Sequence, residues 1–560
     1  MDLRQNASDS AAFGAEPGAR RPGVVGPHLW IWPAIAWLLV IVTSPVLMMP
    51  NTDDAFYFLP ALGLMAEGTL AVPVNGGLER LFFNFPTFSI FQGLFLIAAD
   101  AIGVPVHYYL HRIFNGIVVA ALLGLSLHYI DRLARPEAGS SGQIKLVFLA
   151  LLGVTPFAQT WVLVRPEPFG LLFLVASLVA YHHWTAGGRT RRPLFYASAF
   201  LLGVPLTAHP VFVPVCGMVL LAMSILERRN RTRYGSLALF IVAAGVPLIA
   251  LAMFYLLNSP ESVDQLRGQT EGGALLLLGA IRGLFGRALP FVGQDAVIRQ
   301  FVSAAFFFPL MFPVFGSVAA VILAPRLLRR NADSYLPLLF LFLSVPIVLA
   351  LFFNFIYIFG LAGFVSALFV AVALGPQIVT IVRRIFRVRR PWIFAFASIV
   401  AVGLWAEMHV AKYSIFPDRF LRPDRVLAVV ESERGQSVRL FVTRPELVPL
   451  FLKEISATND LGDAAPLPTY WLFPASGKFL DTEAEIADMR AFLENKFADA
   501  LGRDLWFMNK RHFDAANMTA CLRIARTPFS IGLKASELVY QDHRYILLRA
   551  APDSLDCQQG

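Results

Sequence analysis

The sequence has few charged residues, and this shortage restricts the class of protein more than any other feature. Only 15% of its 560 residues are Asp, Glu, Lys or Arg, while 57% are hydrophobic. A soluble chain needs far more polar surface, so the composition is that of a membrane protein. Apolar runs of roughly 16 to 28 residues recur from Leu29 to His409, long enough to cross a ~30 Å hydrocarbon core as helices.

Cysteines are scarce as well, with only three in the chain. Cys216 falls within an apolar run and is expected to be an inert packing residue. Cys521 and Cys557 would lie in an oxidising compartment under the topology given below, and whether they pair stays open. The sequence also lacks the pattern of a cleavable signal peptide, because the first 28 residues are polar and no small-residue cleavage site follows the first apolar run.

The basic residues predict the orientation of the chain. Cytoplasmic loops carry an excess of Lys and Arg, so all six basic clusters are expected to face the cytoplasm. If Phe85–Gly103 crossed the membrane, every later cluster would fall outside, and we therefore expect a re-entrant or surface-lying helix there and a second span at roughly His111–Ile130. The net charge of +9 follows from these loops and does not indicate nucleic-acid binding. The clusters are Arg20/Arg21, Arg132/Arg135/Lys145, Arg189/Arg191/Arg192, Arg228/Arg229/Arg231/Arg233, Arg326/Arg329/Arg330 and Arg383/Arg384/Arg387/Arg389/Arg390.

The resulting fold class is a polytopic α-helical membrane protein with about eleven spans and a C-terminal α/β soluble domain. Residues 1–28 form a polar cytoplasmic N-terminus, residues 29–410 the transmembrane domain with its first outer loop at 50–110, and residues 411–560 the extracytoplasmic domain. The last contains strand-like runs (VRLFVT, DLWFM, YILLRA) and a capping-box pattern, Thr482 with Glu485. It has no Gly-rich phosphate loop and no zinc-spaced Cys/His set, which favours an accessory or acceptor-binding role.

Two adjacent carboxylates, Asp53 and Asp54, follow the first apolar run at the outer surface. A purely structural interpretation makes them the N-cap and first-turn acid of a helix Ala55–Glu67. In the catalytic interpretation, a partly desolvated carboxylate beside a second one has a pKa raised toward the range of a general base. The two interpretations are compatible, because a helix N-terminus holds such a side chain in place.

Three further ionisable residues are expected at the outer ends of helices. Arg165 and Glu167 lie in the turn RPEP. They either neutralise each other, or they act on the substrate, in which case Arg165 binds a phosphate or orients an acid and Glu167 binds a hydroxyl. His209, before a proline, is either a turn residue or a functional one. The outer loop Asn258–Arg299 carries arginines against the charge rule, and these either hold a lipid phosphate or extend from a surface helix to the interface.

The order of these motifs along the chain and their expected location on one side of the membrane resemble the GT-C membrane glycosyltransferases. Within that superfamily, the resemblance is to the protein O-mannosyltransferases and the lipid A aminoarabinose transferases. The resemblance covers about residues 29–260. It rests on Asp53-Asp54-Ala55-Phe56-Tyr57, the Pro-aromatic segment Asn84-Phe85-Pro86-Thr87-Phe88, Arg112 opening the next helix, Arg165-Pro166-Glu167 and His209-Pro210. The Trp-Trp-Asp motif of oligosaccharyltransferases is missing, so that branch of the superfamily is set aside.

The resemblance implies an inverting transfer of a sugar from a polyprenyl-phosphate donor at the outer face of a bacterial-type inner membrane. It assigns catalysis to Asp53 and Asp54, which could also hold a divalent cation. It assigns substrate binding to Arg112, Arg165, Glu167 and His209. The acceptor, a lipid, a glycan or a protein, stays open.

The chain departs from the resembling family at a late span. Relatives carry an Arg-Tyr pair that contacts the donor phosphate, whereas Tyr357 has no arginine before it. Arg282 or Arg287 of the outer loop is the expected replacement. A polymerase or ligase of lipid-linked glycans is chemically close and stays an alternative. A flippase or transporter would need polar groups near the midplane and often shows repeats, and a membrane scaffold that presents the outer domain is the third alternative.

Overall fold

The computed structural model describes the helical core of the chain and the sheet of the C-terminal domain. For residues 52–56 it describes the backbone alone. The described residues are 28–47, 52–74, 77–80, 86–106, 108–134, 140–153, 155, 157, 164–258, 322, 328, 332–349, 358–385, 392–393, 395–400, 402–403, 423–433, 438–442, 469–471, 504–523, 530–541 and 545–555.

Apolar helices make up the first two thirds of the described chain. A 3-10 turn, Val204–Thr207, follows α7, and an antiparallel hairpin of β1 (Ala71–Val74) and β2 (Gly77–Arg80) follows α2. The helices are α1 (Ile31–Leu47), α2 (Thr52–Glu67), α3 (Thr87–Ala101), α4 (Tyr108–Ala134), α5 (Ser140–Gly153), α6 (Glu167–Ala186), α7 (Arg192–Gly203), α8 (Phe212–Arg229), α9 (Tyr234–Asn258), α10 (Ala332–Leu349), α11 (Ile358–Ile385) and α12 (Pro423–Ser432).

Five of these helices, α4, α6, α9, α10 and α11, are long and apolar enough to cross a membrane. The helix expected at roughly His111–Ile130 is present as α4, and it is long and apolar enough to be a span. By contrast, α3 has 15 residues and is about 22 Å long, short of the ~30 Å that a perpendicular span needs. The predicted total of about eleven spans depends in part on residues outside the described ranges, so it stays a prediction.

Two glycines allow helices of the bundle to approach each other closely. A Cβ at Gly170 of α6 would overlap the ring of Phe212 at the start of α8. A Cβ at Gly203, the last residue of α7, would overlap the backbone carbonyl of Ala244 in α9. The absence of a side chain at these two positions fixes how α6 to α9 pack around the turn that contains His209.

A buried polar network joins the far ends of α6 and α8 to the start of α10. Glu227, fully buried, accepts hydrogen bonds from the hydroxyls of Tyr181 (2.9 Å) and Thr232 (2.6 Å). Arg189 lies 3.5 Å from the same carboxylate and forms an ion pair with Asp333 at 2.8 Å. The network lies at the opposite end of the 20-residue α6 from Arg165, about 30 Å away.

The C-terminal domain is built on a seven-stranded mixed sheet with the order β4-β3-β5-β9-β8-β7-β6. β3 pairs in parallel with β4 and β5, and the remaining pairs are antiparallel. The α/β class expected from the sequence is confirmed, and its three strand-like runs contribute β3, β5 and β9. The strands are β3 (Leu440–Val442), β4 (Thr469–Trp471), β5 (Leu505–Asn509), β6 (Phe513–Asp514), β7 (Thr519–Arg523), β8 (Ser530–Gln541) and β9 (Tyr545–Leu555).

One face of this sheet packs directly on helices α2, α3 and α12. Phe58 and Leu62 of α2 share a buried core with Leu440 of β3, Phe507 of β5 and Leu547 of β9. Leu96 of α3 and Val426 and Val430 of α12 belong to the same core. The C-terminal domain therefore helps to hold α2, the helix whose first turn contains Asp53 and Asp54.

Candidate active site

The turn that precedes α6 contains a buried ion pair. Arg165 donates from Nη2 to Oε1 of Glu167 at 3.0 Å and from Nε to Oε2 at 3.3 Å. Pro166 between them has a turn-like backbone (φ −74°, ψ −9°), which brings two side chains only two residues apart onto one side. Glu167 is 0% exposed. Charges buried in this way persist only when paired, so the Arg-Pro-Glu turn has one defined geometry.

The residue before this pair is strained. Val164 is fully buried and has a φ of +48°, a left-handed conformation in which a β-branched residue is an outlier. Such strain costs of order 1–3 kcal/mol and tends to persist where the surrounding structure enforces a functional geometry. Nothing in the local sequence predicts it, since the run before Arg165 consists of ordinary apolar residues.

His209 completes this group of residues. Its Nδ1 accepts the backbone N–H of Val211 at 3.2 Å, and its Nε2 lies 3.5 Å from Nη2 of Arg165. Burial, and then the positive charge of Arg165, hold the pKa of His209 well below its usual value. A neutral ring that accepts at Nδ1 carries its proton on Nε2. Two N–H groups, one of them charged, thus lie 3.5 Å apart, a spacing at which one oxygen beside both nitrogens can accept from each.

An aromatic cluster connects this group to the first turn of α2. Tyr57 contacts the ring of Phe88 at 5.2 Å, and Phe88 contacts Phe169, near the start of α6, at 5.7 Å. Val164 and Ala208, the neighbours of Arg165 and His209, belong to the same cluster. Since Tyr57 lies one helical turn after Asp53, the α2 turn that contains the two acids ends in the cluster that holds the neighbours of Arg165 and His209.

Arg112 lies in the first turns of α4, next to α2, and is 4% exposed. Its neighbour His111 is fully buried and stacks on Phe58 of α2 with 4.4 Å between the ring centroids. The end of α4 that carries Arg112 is thus packed against the helix of the two acids. A buried guanidinium at this place adds a second fixed positive charge to the region.

The other predicted site residues fall on parts of the chain that are described less fully or not at all. Helix α2 begins at Thr52, three residues before the predicted start, so Asp53 and Asp54 lie within its first turn; their side chains lie outside the described part. Arg282, Arg287 and Tyr357 also lie outside the described residues. Within the described part of the chain, no group of three His, Cys, Asp or Glu residues could hold a metal ion, which leaves the question of a cation at the two acids open.

Comparison with known proteins shows the fold of the chain. No family model and no curated protein sequence matches it. The solved structure of ArnT from Cupriavidus metallidurans in the apo state is similar, with a TM-score of 0.51 at 12% identity, covering 93% of this chain and 97% of that one. The Archaeoglobus fulgidus oligosaccharyltransferase complex with Zn and sulfate is similar too, with a TM-score of 0.50 at 13% identity, covering 85% and 67%. The fold is that of the GT-C glycosyltransferases.

The GT-C fold confirms the resemblance inferred from the ordered motifs. A further similar structure is the archaeal oligosaccharyltransferase AglB from Archaeoglobus fulgidus, in complex with an inhibitory peptide and a dolichol-phosphate (TM-score 0.50, 11% identity, 85% and 69% covered). Sequence identities this low show the fold alone, and activity must be argued from the site.

Proposed function

We propose that this protein is an inverting glycosyltransferase that moves a sugar from a polyprenyl-phosphate donor to an acceptor at the outer face of a bacterial-type inner membrane. The observation that carries the proposal is the buried cluster of Arg165, Glu167 and His209 beside the first turn of α2. It brings an acid, a guanidinium and an N–H donor together beside the helical turn whose sequence contains Asp53 and Asp54, the groups that transfer from a phosphate leaving group requires.

In the proposed reaction, Asp53 is the general base that removes the proton of an acceptor hydroxyl, and Asp54 is the second carboxylate that assists Asp53. The acceptor oxygen forms its bond to the anomeric carbon while the bond from that carbon to the phosphate oxygen breaks. The polyprenyl phosphate leaves with the electron pair. Arg112 and Arg165 stabilise negative charge on the donor, with the His209 Nε2–H as a further hydrogen-bond donor, and Glu167 keeps the Arg165 guanidinium oriented.

A lipid carrier is supported by the GT-C fold and by AglB, whose structure holds a dolichol-phosphate. The donor phosphate of this chain is assigned to Arg282 or Arg287 of the outer loop, which replace the arginine missing before Tyr357. A fork of guanidinium N–H groups matches phosphate oxygens better than an ammonium does.

Two features support an outer location for the C-terminal domain. Cys521 is disulfide-bonded, and disulfides persist in oxidising compartments outside the cytoplasm. The sheet also shares a core with α2 and α3, so the domain and the first turn of α2 belong on one side of the membrane. The surface helix α3, too short for a perpendicular span, fits the proposed non-crossing segment of the first outer loop.

The direct test is turnover of a synthetic donor panel by the purified protein in nanodiscs. The panel consists of undecaprenyl-phosphate and dolichyl-phosphate esters of common hexoses, pentoses and amino sugars, offered with lipid, glycan and peptide acceptors. We expect acceptor-dependent release of polyprenyl phosphate, with the anomeric configuration of the product inverted by NMR. Movement of the intact donor across the bilayer without transfer would instead establish a flippase, and transfer only onto a growing glycan would establish a polymerase or ligase.

A further inference from the structure

Gln92 of α3 is a buried amide whose polar atoms have no hydrogen-bond partner in the described part of the protein. Its side chain is 0% exposed. Neither its Oε1 nor its Nε2 has a hydrogen-bond partner among the described residues. Buried polar side chains are almost always paired, because leaving them unpaired costs free energy. An amide kept in this state needs an explanation.

Gln92 lies on the face of α3 that is turned to the candidate site. Phe88 and Phe95, one turn before and about one turn after it, lie on the same helix face and both contact the ring of Phe114 in α4, at 6.1 and 5.4 Å. Phe88 also belongs to the aromatic cluster beside the Arg-Pro-Glu turn.

The opposite face of α3 is apolar and partly exposed. It exposes Phe91, Leu94 and Ile97, each between 38% and 53%, as suits a helix that lies against lipid. Gln92 therefore points neither to water nor to lipid but into the junction of α2, α3 and α4. This junction adjoins the first turn of α2, the Arg-Pro-Glu turn of α6 and the Arg112 end of α4.

The chemistry of an amide narrows what it can bind there. Gln92 is neutral and offers one acceptor and two donors, the complement of a hydroxyl group, which both donates and accepts. Phosphate oxygens accept only, and the arginines of this region serve them better. We propose that Gln92 is a substrate-binding residue that hydrogen-bonds a hydroxyl of the transferred sugar and so contributes to the choice of sugar. This inference rests on the proposed glycosyl transfer.

The variant Gln92→Met tests this inference, because methionine keeps the volume and removes the polar atoms. The matched control is Ser366→Ala in α11: Ser366 is also 0% exposed, and its Oγ also has no partner among the described residues, but its helix packs on α5. Both variants should keep or raise the melting temperature. Only Gln92→Met should raise the KM for the donor that the wild type uses, by about tenfold, with kcat little changed.

Competition by bare undecaprenyl phosphate separates a sugar contact from a phosphate contact. Its inhibition constant should be the same in the wild type and in Gln92→Met, since bare lipid phosphate has no sugar hydroxyl. A tenfold weaker inhibition constant in the variant would overturn the sugar assignment.

The remaining outcomes distinguish this inference from the proposed function. A lowered melting temperature with an unchanged KM, in Gln92→Met and in Gln92→Leu alike, would make Gln92 a structural residue and refute the inference while leaving glycosyl transfer intact. If the wild type transfers no sugar from any donor of the panel, the proposed function fails, and the sugar-binding role fails with it.

Discussion

Removal of Glu167 is predicted to destabilise the protein strongly, because it takes from the buried guanidinium of Arg165 a carboxylate that accepts two of its hydrogen bonds. Glu167 is 0% exposed and the Arg165 side chain 6%, and two hydrogen bonds join them. Breaking a buried pair from one side typically costs about 3–5 kcal/mol. Since the amide of Gln can still accept one of these bonds, Glu167→Gln should lower the free energy of unfolding by about 3 kcal/mol, the lower end of that range.

The double variant Arg165→Met/Glu167→Met separates the cost of removing one charge of the pair from the net contribution of the pair to stability. Apolar residues of similar volume often replace a buried ion pair at little or no loss of stability, so the double variant should be more stable than Glu167→Gln alone. Folding would be measured by SDS titration of the protein in mixed micelles, followed by tryptophan fluorescence. The double variant should have no transferase activity.

A surface ion pair of the same chain provides the control. Arg549 and Glu537 approach to 3.3 Å with side-chain exposures of 25% and 60%, so Glu537→Gln should change the free energy of unfolding by about 0–1 kcal/mol. A Glu167→Gln variant that is no more destabilised than this control would contradict the burial of the Arg165–Glu167 pair.

The remaining predictions concern His209, the donor phosphate and the topology. Because the folded-state pKa of His209 lies below its unfolded value, its contribution to stability is present above about pH 6.5 and is lost as the pH falls below that value; His209→Gln should remove this part of the pH dependence of unfolding. Arg282→Lys or Arg287→Lys should raise the KM for the lipid-linked sugar and leave acceptor affinity unchanged, and unchanged donor kinetics in both variants would contradict the phosphate assignment. A membrane-impermeant maleimide should reach single cysteines placed near Asn75 and near Gly462 from the outer side, and labelling of only one of them would overturn the proposed topology.

The parts of the structure that follow from local sequence patterns could be predicted. Apolar composition and length indicate the membrane helices, and a helix of spanning length, α4, is present where the second span was expected. The runs that form β3, β5 and β9 were recognised as strands from their β-branched and aromatic residues. The Arg-Pro-Glu turn and His209 were singled out by their place at helix ends.

Long-range features could not be predicted from those patterns. The placement of β3 between β4 and β5 depends on pairings between segments tens of residues apart, and the core that the sheet shares with α2 joins segments hundreds of residues apart. The strain at Val164 is imposed by its surroundings and has no local signal. Gln92 is a single amide among phenylalanines, and only its complete burial shows that it is unusual. The start of α2 differed by three residues, as helix boundaries commonly do.

The most direct test of the proposed reaction compares two carboxylates of α2. Asp53→Asn removes the proposed base from the first turn, whereas Glu67→Gln removes an exposed carboxylate from the last residue of the same 16-residue helix. Turnover with the donor that the wild type uses should fall about 10²-fold or more in Asp53→Asn, with the melting temperature preserved, and should stay near wild type in Glu67→Gln. An Asp53→Asn enzyme that folds and keeps near wild-type turnover would contradict the assignment of the catalytic base.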